Sequence, residues 1–273
     1  MKILIAADME GVSGVVKWDH VDSRHAEYAR FRKIMTGDVN AAIRGALQGG
    51  ATEVVVADGH GGSCNILVEE LDTRARLNSG GQPPFAMLQG LDEDVRAAMF
   101  VGYHARIGAP EAILCHTWSS ARVANLWMGG QVVGEIGLNA ALCGHYGAPV
   151  IMISGDQSAC AEATELLGAL ETAVVKRARG RMAAECLPPE VAQQRIEEAA
   201  ERAVRRLLAG EAPPPWRPPR PIQVAIEFRD VEMAERAAAL PGLRLVDGLR
   251  VEFTVEDAPM AYRTFWAAVT VAR

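Results

Sequence analysis

The chain has 273 residues, 49% of them hydrophobic, and a formal net charge of −6 at pH 7. This length is enough to bury a full core in one large domain or two modest ones. The mildly acidic balance argues against a nucleic-acid partner, and no apolar stretch is long enough to span a membrane. The five scattered cysteines argue against a disulfide framework and a cysteine zinc site, so we expect a cytoplasmic protein with reduced thiols.

The first part of the chain alternates strand-like and helix-like segments. The apolar run from Ile3 to Ala7 predicts a buried strand, and no signal-peptide pattern precedes it. Apolar residues at steps of three and four predict an amphipathic helix from Tyr28 to Leu47, which ends at Gly49 and Gly50. The next predicted elements are a strand over 53–58, a short helix over about 65–71 and a strand over 97–102.

The second part continues this alternation. We expect extended chain over 113–128, and Gly129-Gly130 predicts a hairpin turn before 131–133. The proline-rich run over 212–221 is typical of a semi-rigid linker. The other predicted helices are 135–146, 158–167, a long helix opened by Pro188 and Pro189, 232–240 and 259–271, and the other strands are 149–154, 171–176, 222–228 and 243–255.

This order of elements predicts an α/β fold. We expect a mostly parallel sheet covered by helices on both faces, followed by a smaller C-terminal α+β subdomain. The expected division is a larger α/β domain over 1–211 and a small subdomain over 222–273, joined by the linker over 212–221. Sheets of this kind bind ligands at the carboxyl ends of their strands, so polar residues at those ends are candidate functional residues.

Two carboxylates lie at the end of the first predicted strand. Asp8 and Glu10 are separated by one residue, so in an extended chain their side chains point to the same side. Carboxylates at the mouth of a buried strand are costly unless a cation or a hydrogen-bond network compensates them. By itself this motif fits a metal site as well as it fits a solvated loop or a helix N-cap.

Three further residues favour the metal site. His60 follows the second strand, His104 follows a third, and Glu135 begins a helix. Carboxylates and imidazoles are the ligands that zinc and similar divalent metals prefer. One histidine after a strand is more often structural, but several at neighbouring strand ends are difficult to explain in that way. Because these ligands exceed the need of one tetrahedral zinc, they predict two metals that share Asp8.

Three neighbours of these motifs have two interpretations each. Asp58 either orients His60 as a supporting carboxylate or caps a helix. Arg106 either receives a substrate carboxylate or pairs with a glutamate. Asn139 lies one helical turn after Glu135 and either takes part in the site or has no role in it.

Several motifs, in order and at matching spacing, make the chain similar to a known family. They are Ala7-Asp-Met-Glu-Gly-Val-Ser-Gly14, Asp58-Gly-His60, Phe100-Val-Gly-Tyr-His-Ala-Arg106, His116 and Val133-Gly-Glu-Ile-Gly-Leu-Asn-Ala140. Over residues 1 to about 260 the chain resembles the binuclear-zinc D-aminopeptidases associated with bacterial dipeptide-transport operons.

The resemblance implies a ligand set, a further catalytic residue and an assembly. Asp8 would bridge two zinc ions per chain, with Glu10 and His60 completing the ligands of one ion, and His104 and Glu135 those of the other. It also implies a catalytic role for His116. Members of the family assemble as ring-stacked homodecamers, so a homodecamer is expected here.

We therefore predict a zinc-dependent aminopeptidase. It would hydrolyse the N-terminal residue of short peptides or aminoacyl amides through a water activated by two metals, with the preference for D- or L-residues open. His116 could stabilise the oxyanion, move a proton to the leaving amine or act as a nucleophile. The alternatives are a metal-dependent amidase or esterase on a non-peptide substrate and a non-catalytic zinc-binding protein. A nucleotide-binding regulator is disfavoured, because residues 59–62 lack the Lys-Ser/Thr of a phosphate loop.

Overall fold

The computed structural model describes residues 1–81 and 84–273. No helix in this part of the chain is long and apolar enough to cross a bilayer. The helices are α1 (Tyr28–Gly49), α2 (Glu135–His145), α3 (Gln157–Leu167), α4 (Pro189–Leu208), α5 (Val231–Ala238) and α6 (Ala258–Val271). The strands are β1 (Lys2–Ala7), β2 (Glu53–Asp58), β3 (Ala75–Asn78), β4 (Val95–Val101), β5 (Val123–Met128), β6 (Gln131–Val132), β7 (Val150–Asp156), β8 (Glu171–Gly180), β9 (Ala183–Cys186), β10 (Ile222–Phe228), β11 (Arg244–Leu245) and β12 (Arg250–Val255).

A seven-stranded sheet in the order β3-β2-β1-β4-β7-β8-β9 forms the centre of the molecule. Its strands pair in parallel except for β9, which pairs antiparallel with β8. Alternate residues of β1 face opposite sides. Ile3 and Ile5 pack in the core formed with α1 and α4, whereas Leu4 and Ala6 pack in the core formed with α2 and α3. The predicted mostly parallel sheet with helices on both faces is confirmed.

A second sheet, in the order β11-β12-β10-β5-β6, is antiparallel. Helices α5 and α6 pack against β10 and β12. This sheet combines strands from before and after the proline-rich segment: β5 and β6 precede the segment, and β10, β11 and β12 follow it. Within the segment Pro218 is buried, and the Arg217 Nε donates a hydrogen bond to the Gly144 carbonyl at 2.8 Å. The expected division into a domain over 1–211 and a subdomain over 222–273 stays a prediction.

Several regions differ from the sequence-based expectation. The helix expected over 65–71 is only a 3₁₀ turn over Val68–Glu70, because Asp58 binds the backbone N–H groups of Asn65 and Ile66 and holds the preceding loop. The extended chain expected from 113 becomes a strand only at Val123, after a series of turns. Strands β3 (Ala-Arg-Leu-Asn) and β9 (Ala-Ala-Glu-Cys) were not predicted, since neither sequence contains a β-branched or aromatic residue.

Candidate metal centre

The carboxyl ends of β1, β2 and β4 meet at one edge of the central sheet. Strand β1 lies between β2 and β4 and is parallel to both, so the residues that follow these strands converge. The convergent side chains are Asp8 and Glu10 after β1, His60 after β2 and His104 after β4. The first turn of α2 brings Glu135 to the same place. All five residues that the sequence singled out as ligands therefore lie in one cluster.

Asp8 lies between two histidines. His60 Nδ1 is 3.3 Å from Asp8 Oδ1, and His104 Nε2 is 3.3 Å from Asp8 Oδ2. Glu10 Oε2 is 3.1 Å from His60 Nδ1, and Glu135 Oε1 is 3.1 Å from His104 Nε2. The cluster thus has two ends that meet at Asp8: the His60 end, formed by Glu10 and His60, and the His104 end, formed by His104 and Glu135.

Main-chain carbonyls select which ring nitrogen of each histidine faces the cluster. The pairs are His60 Nε2 with the Val21 carbonyl at 3.0 Å, His104 Nδ1 with the Ala105 carbonyl at 3.0 Å and His116 Nδ1 with the Leu114 carbonyl at 2.9 Å. Each of these nitrogens donates its hydrogen, so in the neutral ring the other nitrogen keeps a lone pair that points into the cluster. Histidines that ligate metals are held in this way.

The cluster concentrates carboxylates in a buried place. Asp8, Glu10 and Glu135 are almost fully buried. Burial and the neighbouring Glu10 raise the pKa of Asp8 to about 7. Asp8 Oδ2 and His104 Nε2 are buried atoms without a hydrogen-bond partner among the described residues. Such atoms are costly unless a cation compensates them, and this set of oxygen and nitrogen ligands fits zinc.

His116 joins the cluster from the long loop after β4. Its ring stacks on that of His104, with centroids 4.1 Å apart and an interplanar angle of 15°. His116 Nε2 is 3.9 Å from Glu10 Oε1 and 3.8 Å from Glu135 Oε1. Burial and the neighbouring His104 lower the pKa of His116, which favours the neutral ring. The geometry admits His116 either as a proton acceptor or as a ligand that shares an ion with His104 and Glu135.

A backbone group that the sequence analysis did not identify orients Glu135. The Trp118 N–H donates a hydrogen bond to Glu135 Oε1 at 2.7 Å. Trp118 has φ 60°, in the left-handed region that a bulky residue rarely adopts. Its ring packs edge-on against Tyr262 and Phe265 of α6, which hold it there. No sequence pattern could have revealed this contact, because the donor is a main-chain N–H.

Buried carboxylates distant in sequence anchor the loops that carry the cluster. Asp38 of α1 accepts hydrogen bonds from the backbone N–H and the hydroxyl of Ser13 at 2.9 and 2.8 Å. Asp156, at the end of β7, accepts the backbone N–H of Ile113 at 2.7 Å. These bonds fix the loops that carry Glu10 and His116.

Asp58 supports His60 indirectly. It accepts hydrogen bonds from the Asn65 side chain and backbone N–H, and the Asn65 Nδ2 also donates to the His60 carbonyl at 2.7 Å. The Asp58 carboxylate therefore organises the loop that carries His60, and it caps no helix. Asn139 Nδ2 donates to the Tyr103 hydroxyl at 2.8 Å, so Asn139 supports the packing of α2 beneath the cluster.

A cavity of about 230 Å³ opens onto the cluster. Besides residues of the cluster, its lining includes Ser63, Met87, Trp118 and Trp266, and no lysine or arginine among the described residues. Arg106 lines a different cavity, beside Glu162, and its backbone N–H donates to Glu162 Oε2 at 2.8 Å. The interpretation of Arg106 as a receptor for a substrate carboxylate therefore has no support in this geometry.

Comparisons with known proteins agree over the whole chain. Residues 1–267 match the D-aminopeptidase family. A D-aminopeptidase of Bacillus subtilis (strain 168) is 37% identical over 273 residues, which cover 100% of this chain and 98% of that protein. The structure of the zinc-dependent D-aminopeptidase DppA from Bacillus subtilis, described as a self-compartmentalizing protease, has a TM-score of 0.95 and 37% identity, with 100% of this chain and 98% of that chain covered. The family and the fold predicted from the sequence are confirmed, and the chain belongs to the D-aminopeptidase family of peptidases.

Proposed function

We propose that this chain is a zinc-dependent aminopeptidase that removes N-terminal D-residues from short peptides or aminoacyl amides, with two zinc ions per chain. The ligands would be Asp8, Glu10, His60, His104 and Glu135. The observation that carries the proposal is the position of Asp8 between two histidine–glutamate ends, where the buried Asp8 Oδ2 and His104 Nε2 have no hydrogen-bond partner among the described residues. The preference for D-residues rests on the similarity to the Bacillus subtilis enzyme.

Zinc bound at this cluster would lower the pKa of a water molecule and polarise the scissile carbonyl. His116 would then accept and transfer the proton. Its Nδ1–H is held by the Leu114 carbonyl, so the Nε2 lone pair faces the cluster. The lowered pKa of His116 keeps the ring neutral, which suits it to accept a proton from the attacking water and pass it to the leaving amine. A neutral ring in this tautomer has no Nε2–H for an oxyanion, so the geometry favours the proton-transfer role.

The lining of the cavity offers no lysine or arginine side chain, among the described residues, that could pair with a substrate carboxylate. The described lining contains carboxylates and apolar side chains, including Met87, Trp118 and Trp266, but no cationic side chain outside the histidines. A substrate carboxylate therefore finds no cationic side chain in the described lining. Together with the similarity to the Bacillus subtilis aminopeptidase, this supports recognition of the free amino terminus of the substrate.

We also propose that the chain forms a homo-oligomer in the cytoplasm, with a homodecamer as the specific expectation. The support is the description of the Bacillus subtilis enzyme as self-compartmentalizing. Light scattering should then give about ten times the chain mass of 29.3 kDa. A monomer at micromolar concentration would refute the assembly.

Substrate profiling of the zinc-loaded protein tests the activity. We expect hydrolysis of D-alanyl amide and of D-alanyl dipeptides, slower hydrolysis of the L-forms, and none of N-acetylated D-alanyl amide. The acetylated compound is the matched control, because it keeps the scissile amide and removes only the ammonium group. Faster turnover of the acetylated amide or of simple esters would instead identify an amidase or esterase. Zinc binding without any turnover would identify a non-catalytic zinc protein.

A further inference from the structure

Lys176 is a buried lysine of β8 that the proposed chemistry does not use. Its side chain is 1% exposed. The ammonium group donates hydrogen bonds to three main-chain carbonyls, those of Glu10 at 2.6 Å, Val12 at 2.9 Å and Val15 at 2.7 Å. An ammonium group has three N–H donors, so Lys176 uses all of them on this one segment.

The segment over 8–15 is the loop that carries Asp8 and Glu10 away from β1. It is pressed against the end of β4, where the Gly11 N–H donates to the Gly102 carbonyl at 2.7 Å. A Cβ atom at Gly11 would lie 2.0 Å from the Tyr103 carbonyl oxygen, so the backbone approaches as closely as glycine allows. Asp38 holds the loop by binding Ser13. Two buried side chains of opposite charge therefore fix it.

Removing the ammonium group would leave the buried Glu10 and Val15 carbonyl oxygens without a donor among the described residues, whereas the Val12 carbonyl would keep the Val15 N–H at 3.1 Å. A buried acceptor that loses its partner carries the full cost of its desolvation. The carbonyls converge on one point, so they also repel one another once the cation is gone. The loop relieves both effects only by moving, and Glu10 moves with it because its own carbonyl is one of the three.

We propose that Lys176 is a positioning residue that holds the backbone of Glu10 in the geometry its carboxylate needs to bind metal at the His60 end. It contacts no reacting group and acts through the main chain of Glu10. The His104 end has other supports, since Trp118 orients Glu135 and the Ala105 carbonyl orients His104. The effect of losing Lys176 is therefore unequal between the two ends. This consequence rests on the proposed two-metal function, whereas the effect on the loop does not.

The test compares Lys176→Met with a control substitution at a buried residue in the second sheet. Methionine keeps an unbranched side chain and removes the ammonium group. Val224→Ala creates a buried truncation in β10 of the second sheet, away from the loop. In metal-free protein, amide hydrogen exchange over residues 9–15 should be about tenfold faster or more in Lys176→Met and unchanged in Val224→Ala. Equal exchange in the two variants would overturn the proposal.

Cobalt titration followed by visible absorption gives the second readout. In Lys176→Met, one of the two binding steps should weaken by about 10–100-fold and the other should stay near the wild-type value. Equal weakening of both steps would overturn the proposal. If the wild-type protein binds only one ion, the two-metal function fails, and the hydrogen-exchange result still decides the role of Lys176. If Lys176→Met does not fold, Lys176→Gln, which keeps two N–H donors, should exchange faster than the wild type over residues 9–15, and wild-type exchange in that variant would contradict the role.

Discussion

The two ends of the cluster contain the same pair of ligand types in different surroundings. The His60 side chain is 14% exposed, and a second cavity, lined by Asp22 and Tyr28, lies on its outer side. The His104 side chain is 1% exposed, and the ring of His116 covers it. Charges interact more strongly where water is excluded. We therefore expect the His104 end to bind metal more tightly and to release it more slowly.

Loop length explains this difference in burial. His60 lies on a short glycine-rich turn, only two residues after β2, which leaves one side of its ring near solvent. His104 is followed by the long segment over 105–122, which folds back over the cluster and contributes His116 and Trp118. The same chemical ligand thus acquires a different environment from the connection that follows it.

Asp8→Ala should have the largest effect, because Asp8 is the only ligand that contacts both ends. We expect both metals to be lost and kcat/KM to fall by about 10⁴-fold or more. Metal analysis after zinc loading and an aminoacyl-amide assay measure the two effects. Asp92→Ala, which removes a half-exposed carboxylate paired with Lys2 outside the cluster, is the control. Full metal retention in Asp8→Ala would contradict the shared position of this residue.

His116→Ala should keep both metals and a similar KM, while kcat falls by about 10²–10⁴-fold, as for a positioned acid–base group. His25→Ala, at an exposed histidine, is the control and should be silent. If metal content at the His104 end falls together with activity, His116 is a ligand. A lower melting temperature with near-normal kcat would leave it only a structural role.

His60→Ala and His104→Ala compare the two ends directly. Each should weaken mainly one metal, by more than the 10–100-fold that is typical of losing a supporting partner. The ion left in His60→Ala should dissociate more slowly than the ion left in His104→Ala, because it lies at the more buried end. Chelator-driven release, followed with a zinc indicator, gives both rates. Equal rates would show that the difference in burial has no consequence for metal binding.

Asp38, which anchors the loop that carries Glu10, should make the unfolding free energy depend on pH. Of the variants considered, Asp38→Asn should have the smallest effect. Burial raises the pKa of Asp38 from 3.8 to about 6. The folded state then holds this proton more tightly than the unfolded state, so stability from Asp38 is highest below about pH 4 and falls as pH rises to about 6.

Urea unfolding of metal-free protein checks this prediction. The unfolding free energy of the wild type minus that of Asp38→Asn should fall by about 3 kcal/mol between pH 4 and pH 7, which corresponds to a shift of roughly two pKa units. Taking the difference between the two proteins removes the pH dependence that comes from the other titrating groups, because both proteins contain them. A difference that stays flat over this range would mean that Asp38 keeps its ordinary pKa in the folded protein.

The sequence by itself determined the elements that carry the ligands. Strands β1 and β2 are apolar runs bounded by polar residues, and α1 ends at Gly49 and is followed by Gly50 with φ 113°, as its two glycines predicted. The ligand candidates could be named because parallel strands collect their carboxyl ends at one edge. These features depend on local patterns of burial and backbone geometry, which the order of residues records directly.

Only the tertiary structure decided which distant groups support the cluster. Lys176 is 166 residues from Glu10, and two strands, β4 and β7, separate β8 from β1 in the sheet. Lys176 reaches the Glu10 carbonyl because the loop after β1 crosses the end of β4, where the Gly11 N–H binds the Gly102 carbonyl. The contact between Trp118 and Glu135 uses a main-chain N–H, which every residue except proline has. Arg106 has a suitable charge and lies close to His104 in sequence, yet the chain turns it into another cavity. Such contacts depend on how separate elements pack against one another, and no local pattern in the sequence encodes that.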